Sequence, residues 1–381
     1  MISLCEPYVT GKELISIKKS LKKNEISTYG STVKKFEKKF STFINSKYSL
    51  ALNSGTSALH LALKVVGAKF DNEVLVSTLT FVATINSIIY NGAKPVFIDC
   101  NENFLIDLDK TIEFLKKKTY LKDNKCFNKR TKRHIIAIVI VDVWGQVVET
   151  SKIKKICNLK NIKIIKDSAE SVGSYSKSLK TVNPTKDSDI ACFSFNGNKI
   201  ITTGSGGMLS TNNKRYYEKA IYYATQAKDD NIRFIHNDVG YNYGMSSIQA
   251  SIGLAQLDQL KLFIKKKYKI FNFYKNFFKD SKDIEFFSHS NVQTNYWMNL
   301  VKFKKKIDLD KIIKYLKKFK IEARNVWFPN HLQKPFKKFE RYTNMNAKKL
   351  VSNSLCIPSS VGLTKKQQMH VCKKLNESIN K

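Results

Sequence analysis

The stretch DIACFSFNGNKIITTGSGGM, residues 189 to 208, connects two short apolar runs through a glycine-rich turn that carries one lysine, Lys199. Similar runs recur between residues 48 and 210: YSLALN, EVLVS, KPVFID, HIIAIVIVDV, NIKIIKD, DIACFSF and GGMLS. Most of them are apolar almost throughout, which is typical of strands buried on both faces. Segments with helical periodicity separate them. The pattern therefore predicts the α/β class, with a mostly parallel sheet covered by helices.

The segment after Asn53 illustrates the helical periodicity. Leu59, Ala62, Leu63 and Val66 recur at helical spacing and form one apolar stripe. We expect this helix to lie on the sheet.

Beyond about residue 260 the chain changes character, and KLFIKKKYKIFNFYKNFFKD forms a long basic and aromatic amphipathic segment. Apolar positions predict two later helices, one marked by Ile312, Leu316 and Phe319 and a last one marked by Met369, Cys372, Leu375 and Ile379. We expect a large α/β domain over residues 1–260, including the N-terminal segment, and a smaller C-terminal α+β domain over residues 261–381. The segment YLKDNKCFNKRTKR, residues 120–133, is predicted to be a polar surface loop.

Composition restricts the possible partners. The chain has 67 Lys plus Arg against 31 Asp plus Glu, a net charge of +36 that suggests nucleic acid or another anionic partner. However, the lysines are spread over nearly the whole chain, which is typical of a compositional bias. The seven cysteines contain no CxxC pair, so neither a disulfide framework nor a metal site is indicated. Without a leader or an apolar run of eighteen residues, we expect a cytoplasmic protein with no membrane or nucleic-acid partner.

The segment SGTSALHLAL opens a helix directly after a strand. The first amides of a helix lack internal partners and lie at the positive end of the dipole, so Gly55, Thr56 and Ser57 could hold a phosphate. Ordinary helix capping by Ser54 or Thr56 is an alternative interpretation of the same residues.

Two further segments place chemically useful side chains at strand ends. Asp167 ends an apolar strand, where open parallel sheets bind ligands, although it could also cap the following turn. Ser194 ends the next strand, and Lys199 follows in the glycine-rich turn. A desolvated lysine forms a Schiff base with a carbonyl compound. A phosphate cradle, an aspartate at a strand end and this lysine together indicate pyridoxal phosphate.

The same segments resemble the DegT/DnrJ/StrS family of nucleotide-sugar aminotransferases, pyridoxal phosphate enzymes of fold type I. The resemblance runs from about residue 26 to the C-terminus, through TYGSTVKKFE, NSGTSALHLAL, TFVATINSIIYNGAKPVFID, KDSAESVGS, FSFNGNKIITTGSGGM, GYNYGMSSIQASIGLAQL and VWFPNHLQKPF. It implies that Lys199 holds the cofactor as an internal aldimine, Asp167 pairs with the pyridine nitrogen and Phe81 stacks on the ring. Other implied contacts are Gly55, Thr56, Ser57 and Ser194 to the phosphate, Glu170 near the phenolic oxygen, and Asn242 to the phosphate across the interface of a homodimer.

Within the family, NGNKIITTG is most like enzymes that aminate the 4-keto position of 6-deoxy nucleotide sugars, such as perosamine synthases and the aminotransferase of the legionaminic acid pathway. The implied donor is an amino acid, expected to be glutamate. The substrate-contacting segments correspond here to Thr28, Tyr29, Arg324, Trp327 and His331. For Trp327 and His331, packing at the domain boundary is an equally valid interpretation.

Three positions depart from the family pattern. Gly244 stands where Arg is frequent, Ser205 where Gly or Glu is common, and Lys166 where an acidic residue often precedes the cofactor aspartate. Related activities are a 3-keto sugar aminotransferase and the family's dehydratase branch, although the latter typically has His in place of Lys199. A remote alternative is nucleic-acid binding by the basic aromatic segment at residues 261–280.

Overall fold

The computed structural model of the 381-residue chain describes residues 1–178, 180–230, 232–287, 291–342 and 345–379. The strands in these ranges are β1 (Tyr48–Leu52), β2 (Glu73–Ser77), β3 (Lys94–Ile98), β4 (Thr119–Lys122), β5 (Lys125–Asn128), β6 (Ile135–Val141), β7 (Lys163–Asp167), β8 (Tyr175–Ser176), β9 (Ile190–Ser194), β10 (Gly207–Thr211), β11 (Lys228–Asp230), β12 (Ile235–His236), β13 (Ile284–Phe286), β14 (Val292–Gln293), β15 (Asn299–Phe303), β16 (Arg324–Asn325), β17 (Arg341–Tyr342) and β18 (Ser354–Ile357). The helices are α1 (Lys12–Leu21), α2 (Ser31–Phe43), α3 (Gly55–Val65), α4 (Val82–Tyr90), α5 (Leu108–Lys117), α6 (Ser151–Leu159), α7 (Lys214–Ala224), α8 (Ser247–Phe277), α9 (Leu309–Lys318), α10 (Met345–Ser352) and α11 (Lys365–Ile379).

The central sheet has eight strands in the order β1-β10-β9-β7-β6-β2-β3-β17. β10 is antiparallel to both of its neighbours, and the remaining pairs are parallel. All seven apolar runs form strands of this sheet, so the predicted α/β class with a mostly parallel sheet is confirmed. The edge strand β17 was not predicted, because two residues are too short to show a pattern.

The helix after Asn53 lies on the sheet, as its stripe predicts. Leu59, Ala62 and Leu63 of α3 are fully or almost fully buried, in the same core cluster as residues of β2 and β6. Val66 caps the helix. α3 contacts β9, β10 and α4, which fixes its N-terminus at the strand ends.

The prediction of a polar loop over residues 120–133 is wrong for its first part. β4 and β5 pair there as an antiparallel hairpin. Cys126 and Asn128 are buried because alternate side chains of β5 face the body of the protein. The amide of Asn128 donates to Glu73 Oε2 at 2.9 Å, which ties the hairpin to β2.

The C-terminal region contains a second, antiparallel sheet in the order β13-β15-β18-β16. Both predicted late helices are present as α9 and α11, and they pack on this sheet in a separate hydrophobic cluster. The predicted domain boundary after residue 260 falls inside α8, so the division into two domains stays a prediction. The basic aromatic segment of α8 buries Phe263, Ile270 and Tyr274, which shows that its apolar face packs inside the protein. Among the described helices, none is long and apolar enough to cross a membrane.

Candidate active site

A cavity of about 290 Å³ lies at the carboxyl ends of β6, β7 and β9. Val141, Asp167 and Ser194 are the last residues of these strands, and the N-terminus of α3 and the loop before α4 complete the walls. This is the edge at which open parallel sheets bind ligands. The predicted site residues that line it are Gly55, Thr56, Phe81, Asp167, Glu170, Ser194, Lys199 and Trp327. Ser54 and Ser205, named above as a helix cap and as a departure from the family pattern, line it as well.

Asp167 is a buried carboxylate on the cavity wall. The hydroxyl of Thr84 donates to its Oδ2 at 2.7 Å, and the backbone amide of Ala169 donates to its Oδ1 at 3.2 Å. Burial raises the pKa of Asp167, while the hydrogen bond from Thr84 and the charge of Lys199 oppose that rise. Each oxygen thus has one donor and retains capacity for a positively charged or N–H group in the cavity.

The amine of Lys199 lies between a carboxylate and an aromatic ring. Its Nζ is 3.6 Å from Glu170 Oε1 and 4.2 Å from the centroid of the Trp297 ring, within the range of a cation–π contact. The indole N–H of Trp297 donates to the carbonyl of Asn198 at 2.6 Å, which fixes the residue before the lysine. Lys199 is largely buried, unlike the many solvated lysines of this chain.

Glu170 connects the lysine to a neighbouring loop. Its Oε2 accepts a hydrogen bond from the backbone amide of Trp144 at 2.7 Å. Burial raises the pKa of Glu170, and the charge of Lys199 opposes that rise. One oxygen of Glu170, Oε2, is therefore held by the backbone, and the other, Oε1, faces the amine of Lys199.

The N-terminus of α3 forms a close-fitting concave surface. Ser54 caps the helix by accepting from the amide of Ser57 at 3.0 Å, so the capping interpretation holds for Ser54. A Cβ added at Gly55 would lie 2.8 Å from Cβ of Ser194, so glycine is required for the approach of helix and strand. The helix begins with Gly55 and Thr56 on the cavity wall. The free backbone amides and the positive end of the helix dipole at this position suit a phosphate.

Aromatic side chains border the mouth of the cavity. Phe81 is half exposed, and its ring centroid is 5.3 Å from that of Trp327. Trp327 stacks in turn on Trp144, at 6.2 Å between centroids. Phe81 is thus accessible to a planar ligand.

The remaining predicted site residues are not brought to this cavity. Ser57 lies in the first turn of α3, but it does not line the cavity, and its hydroxyl donates to Asn53 Oδ1 at 2.6 Å. Thr28 and Tyr29 are exposed and precede α2, and Asn242 is exposed. Two of the set are engaged elsewhere: Arg324 pairs with Glu322 at 2.6 Å, and buried His331 lies 2.5 Å from the hydroxyl of Thr78.

Sequence reasoning missed Thr84 and Trp297. Thr84 lies only three residues after Phe81 in a quoted segment, and its position in the first turn of α4 is the signal that could have indicated it. Trp297 carries no local signal, because its contact with Lys199 arises from the way distant parts of the chain fold together.

The chain is similar to known proteins over nearly its whole length. Residues 7–376 match the model of the DegT/DnrJ/EryC1/StrS aminotransferase family. The chain is 32% identical to the GDP-perosamine synthase of Escherichia coli O157:H7, over 99% of this chain and 98% of that protein. It is also 32% identical to the UDP-4-amino-4,6-dideoxy-N-acetyl-beta-L-altrosamine transaminase of Campylobacter jejuni, over 72% of this chain and 69% of that protein.

Among solved structures, the PLP form of the putative sugar aminotransferase Spr1654 from Streptococcus pneumoniae has the same fold. The TM-score is 0.87 at 21% identity, over 100% of this chain and 98% of that one. Together with the family match over nearly the whole chain, this confirms fold type I as the architecture. The chain belongs to the DegT/DnrJ/EryC1/StrS aminotransferase family, and it is a pyridoxal phosphate-dependent aminotransferase.

Proposed function

We propose that this enzyme transfers the amino group of glutamate to the 4-keto group of a 6-deoxy nucleotide sugar, for the synthesis of a surface polysaccharide or glycan. The observation that carries the proposal is the position of the Lys199 amine, 3.6 Å from Glu170 in a cavity that also contains Asp167. The two relatives described above are named for a nucleotide-linked amino sugar, one of them a 4-amino-4,6-dideoxy sugar. The high positive charge suits an anionic, diphosphate-linked substrate.

The residues of the cavity fit pyridoxal phosphate. The close approach of Gly55 to Ser194 provides a phosphate cradle with Thr56, Phe81 provides a ring face, and Asp167 provides a buried carboxylate. When bound, the cofactor supplies an electron sink for the carbanion formed as the donor amino acid loses its α-proton. Ionised Asp167 strengthens that sink by favouring the protonated ring nitrogen.

Lys199 performs the proton transfers. In its free, neutral form the amine of Lys199 would accept the α-proton of the amino acid as a general base and then donate a proton as a general acid. The charged amine formed between these steps is stabilised by Glu170 at 3.6 Å and by the face of Trp297 at 4.2 Å. Burial of this group excludes water that would compete for the proton.

The substrate side involves residues beyond the cavity. We propose that Trp327 lines the sugar site and that Thr28, Tyr29, Arg324 and His331 contribute to the substrate contacts. Arg324 would exchange Glu322 for the diphosphate, which a guanidinium binds through paired hydrogen bonds.

We also propose a homodimer in which Asn242 and Ser57 complete the phosphate site, Asn242 from the neighbouring subunit. A cytoplasmic location is consistent with seven free cysteines. The active site would lie between a large domain, residues 1–260, and a small domain, residues 261–381.

A coupled assay tests the proposed reaction. The purified enzyme is incubated with glutamate and a panel of UDP- and GDP-linked 4-keto-6-deoxy sugars and their 3-keto counterparts, and aminated sugar and 2-oxoglutarate are measured together. We expect equal amounts of both products with at least one 4-keto sugar. Amination only of 3-keto sugars, or loss of water without amination, would instead assign one of the related activities.

A further inference from the structure

A buried hydroxyl pair leads from the loop before α4 to the carboxylate of Asp167. Thr84 is 1% exposed, and its Oγ1 is 2.7 Å from Asp167 Oδ2. Thr80, which is 2% exposed, places its own hydroxyl 2.9 Å from that of Thr84. Since an ionised carboxylate can only accept, the hydroxyl of Thr84 donates its hydrogen bond to Asp167 Oδ2.

This fixes the direction of the chain of hydrogen bonds. Because Thr84 donates its one hydroxyl hydrogen to Asp167, it accepts the hydrogen bond from the hydroxyl of Thr80, and the two bonds reinforce each other. The other oxygen of Asp167 accepts from the amide of Ala169 at 3.2 Å. Both bonds to Asp167 favour the ionised carboxylate, which accepts at each of its oxygens.

We propose that Thr84 is a positioning residue that keeps Asp167 ionised and directed at the ring nitrogen of the cofactor. This inference rests on the role proposed above for Asp167. Thr84 itself lines the cavity but acts through the carboxylate.

Other charged and titratable groups also lie around Asp167. Lys199 lowers the pKa of Asp167, and Asp142 at the end of the adjacent strand raises it. Glu170 is a second carboxylate in the cavity, and the thiol of Cys192 on β9 has its own pKa raised by burial and by Asp167. Replacement of Thr84 leaves all four in place, so a change in the behaviour of Asp167 reports the lost hydroxyl.

Binding of pyridoxamine phosphate between pH 5 and pH 8 tests the inference. This form of the cofactor has no aldehyde, so its affinity reports contacts other than the bond to Lys199. Thr84→Val keeps the shape and removes the hydroxyl, and we expect it to weaken binding about tenfold at neutral pH. Because the pKa of Asp167 rises further without the donor, the loss should grow as the pH falls. Thr84→Ser, which keeps the hydroxyl, should stay within about threefold of the wild type.

Two control variants separate the explanations. Thr111→Val removes a buried hydroxyl that donates to the carbonyl of Asp107, away from the cavity, and should bind pyridoxamine phosphate as the wild type does. Wild-type affinity and pH dependence in Thr84→Val, or an equal loss of affinity in Thr84→Ser, would overturn the inference. The second control, Asp167→Asn, tests the proposed role of Asp167 separately, and weak binding of pyridoxamine phosphate by this variant would support that role. Unchanged binding by Asp167→Asn would overturn both.

Discussion

Two aspartates at neighbouring strand ends of the same sheet have opposite surroundings. Asp142 directly follows β6 and accepts from Lys166 Nζ at 3.0 Å, from the amide of Val148 at 2.9 Å and from two serine hydroxyls, Ser168 and Ser171. Asp167 ends β7 and, within the part of the chain that the structure describes, accepts from Thr84 and Ala169 alone. A saturated buried carboxylate stabilises the fold, whereas an incompletely satisfied one beside a cavity is available to a ligand.

Strand alternation produces this difference. Residues 166 and 167 are consecutive in β7, so their side chains lie on opposite faces of the sheet. Lys166 faces Asp142, and Asp167 faces the cavity. Lys166, one of the positions that depart from the family pattern, therefore does not line the cofactor cavity.

The largest effect is expected from Lys199→Ala, on the cavity side. Turnover should fall at least about 1000-fold, because the variant loses both the covalent attachment and the proton carrier. Borohydride reduction followed by peptide mapping should find no adduct in the variant. Lys214→Ala, at an exposed position of α7, is the matched control and should retain full activity. Substantial turnover by Lys199→Ala would contradict the proposed catalytic role of Lys199.

On the opposite face, Lys166→Met is expected to destabilise the fold. Removing one partner of a buried ion pair leaves Asp142 uncompensated and typically costs about 3–5 kcal/mol of unfolding free energy. Urea unfolding measures the loss. Asp142→Asn combined with Lys166→Met removes the unpaired charge and keeps an acceptor for the amide of Val148, so it should recover part of the loss. The folded fraction should bind pyridoxamine phosphate normally. A selective loss of cofactor affinity would show that the two faces are not separate.

The extent to which the site was predictable follows from this geometry. Lys199, Asp167 and the start of α3 each belong to a short segment whose strand or helix pattern places them at one edge of a parallel sheet. Thr84 and Trp297 reach the site through pairings that no local pattern encodes. The partners of Asp142 depend equally on folded geometry, and the hairpin β4–β5 was missed because its charged residues resemble a loop.

His331 offers a smaller test on the structural side. Burial lowers its pKa to about 4, helped by the charges of Arg341 and Lys348 and opposed by Asp99. Because an unfolded histidine binds its proton near pH 6.5, the stability that His331 contributes is fully present above that pH and decreases as the pH falls toward 4. His331→Gln should therefore reduce the loss of unfolding free energy between pH 7 and pH 5 by about 1–2 kcal/mol. An unchanged pH dependence together with a raised KM for the sugar would identify a substrate contact instead.

The smallest effect is expected from substitutions of Trp297, which test how its ring and its N–H support Lys199. Trp297→Leu removes the aromatic face 4.2 Å from the lysine and should lower kcat about tenfold, with little change in KM for glutamate. Trp297→Phe keeps a face but loses the N–H bonded to Asn198, and it should retain kcat within about threefold. Equal losses in both variants would assign the effect to the hydrogen bond that holds the turn. The ring is favoured because the amine becomes charged only during the proton transfers, so a stabilising face changes the rate more than the binding of substrate.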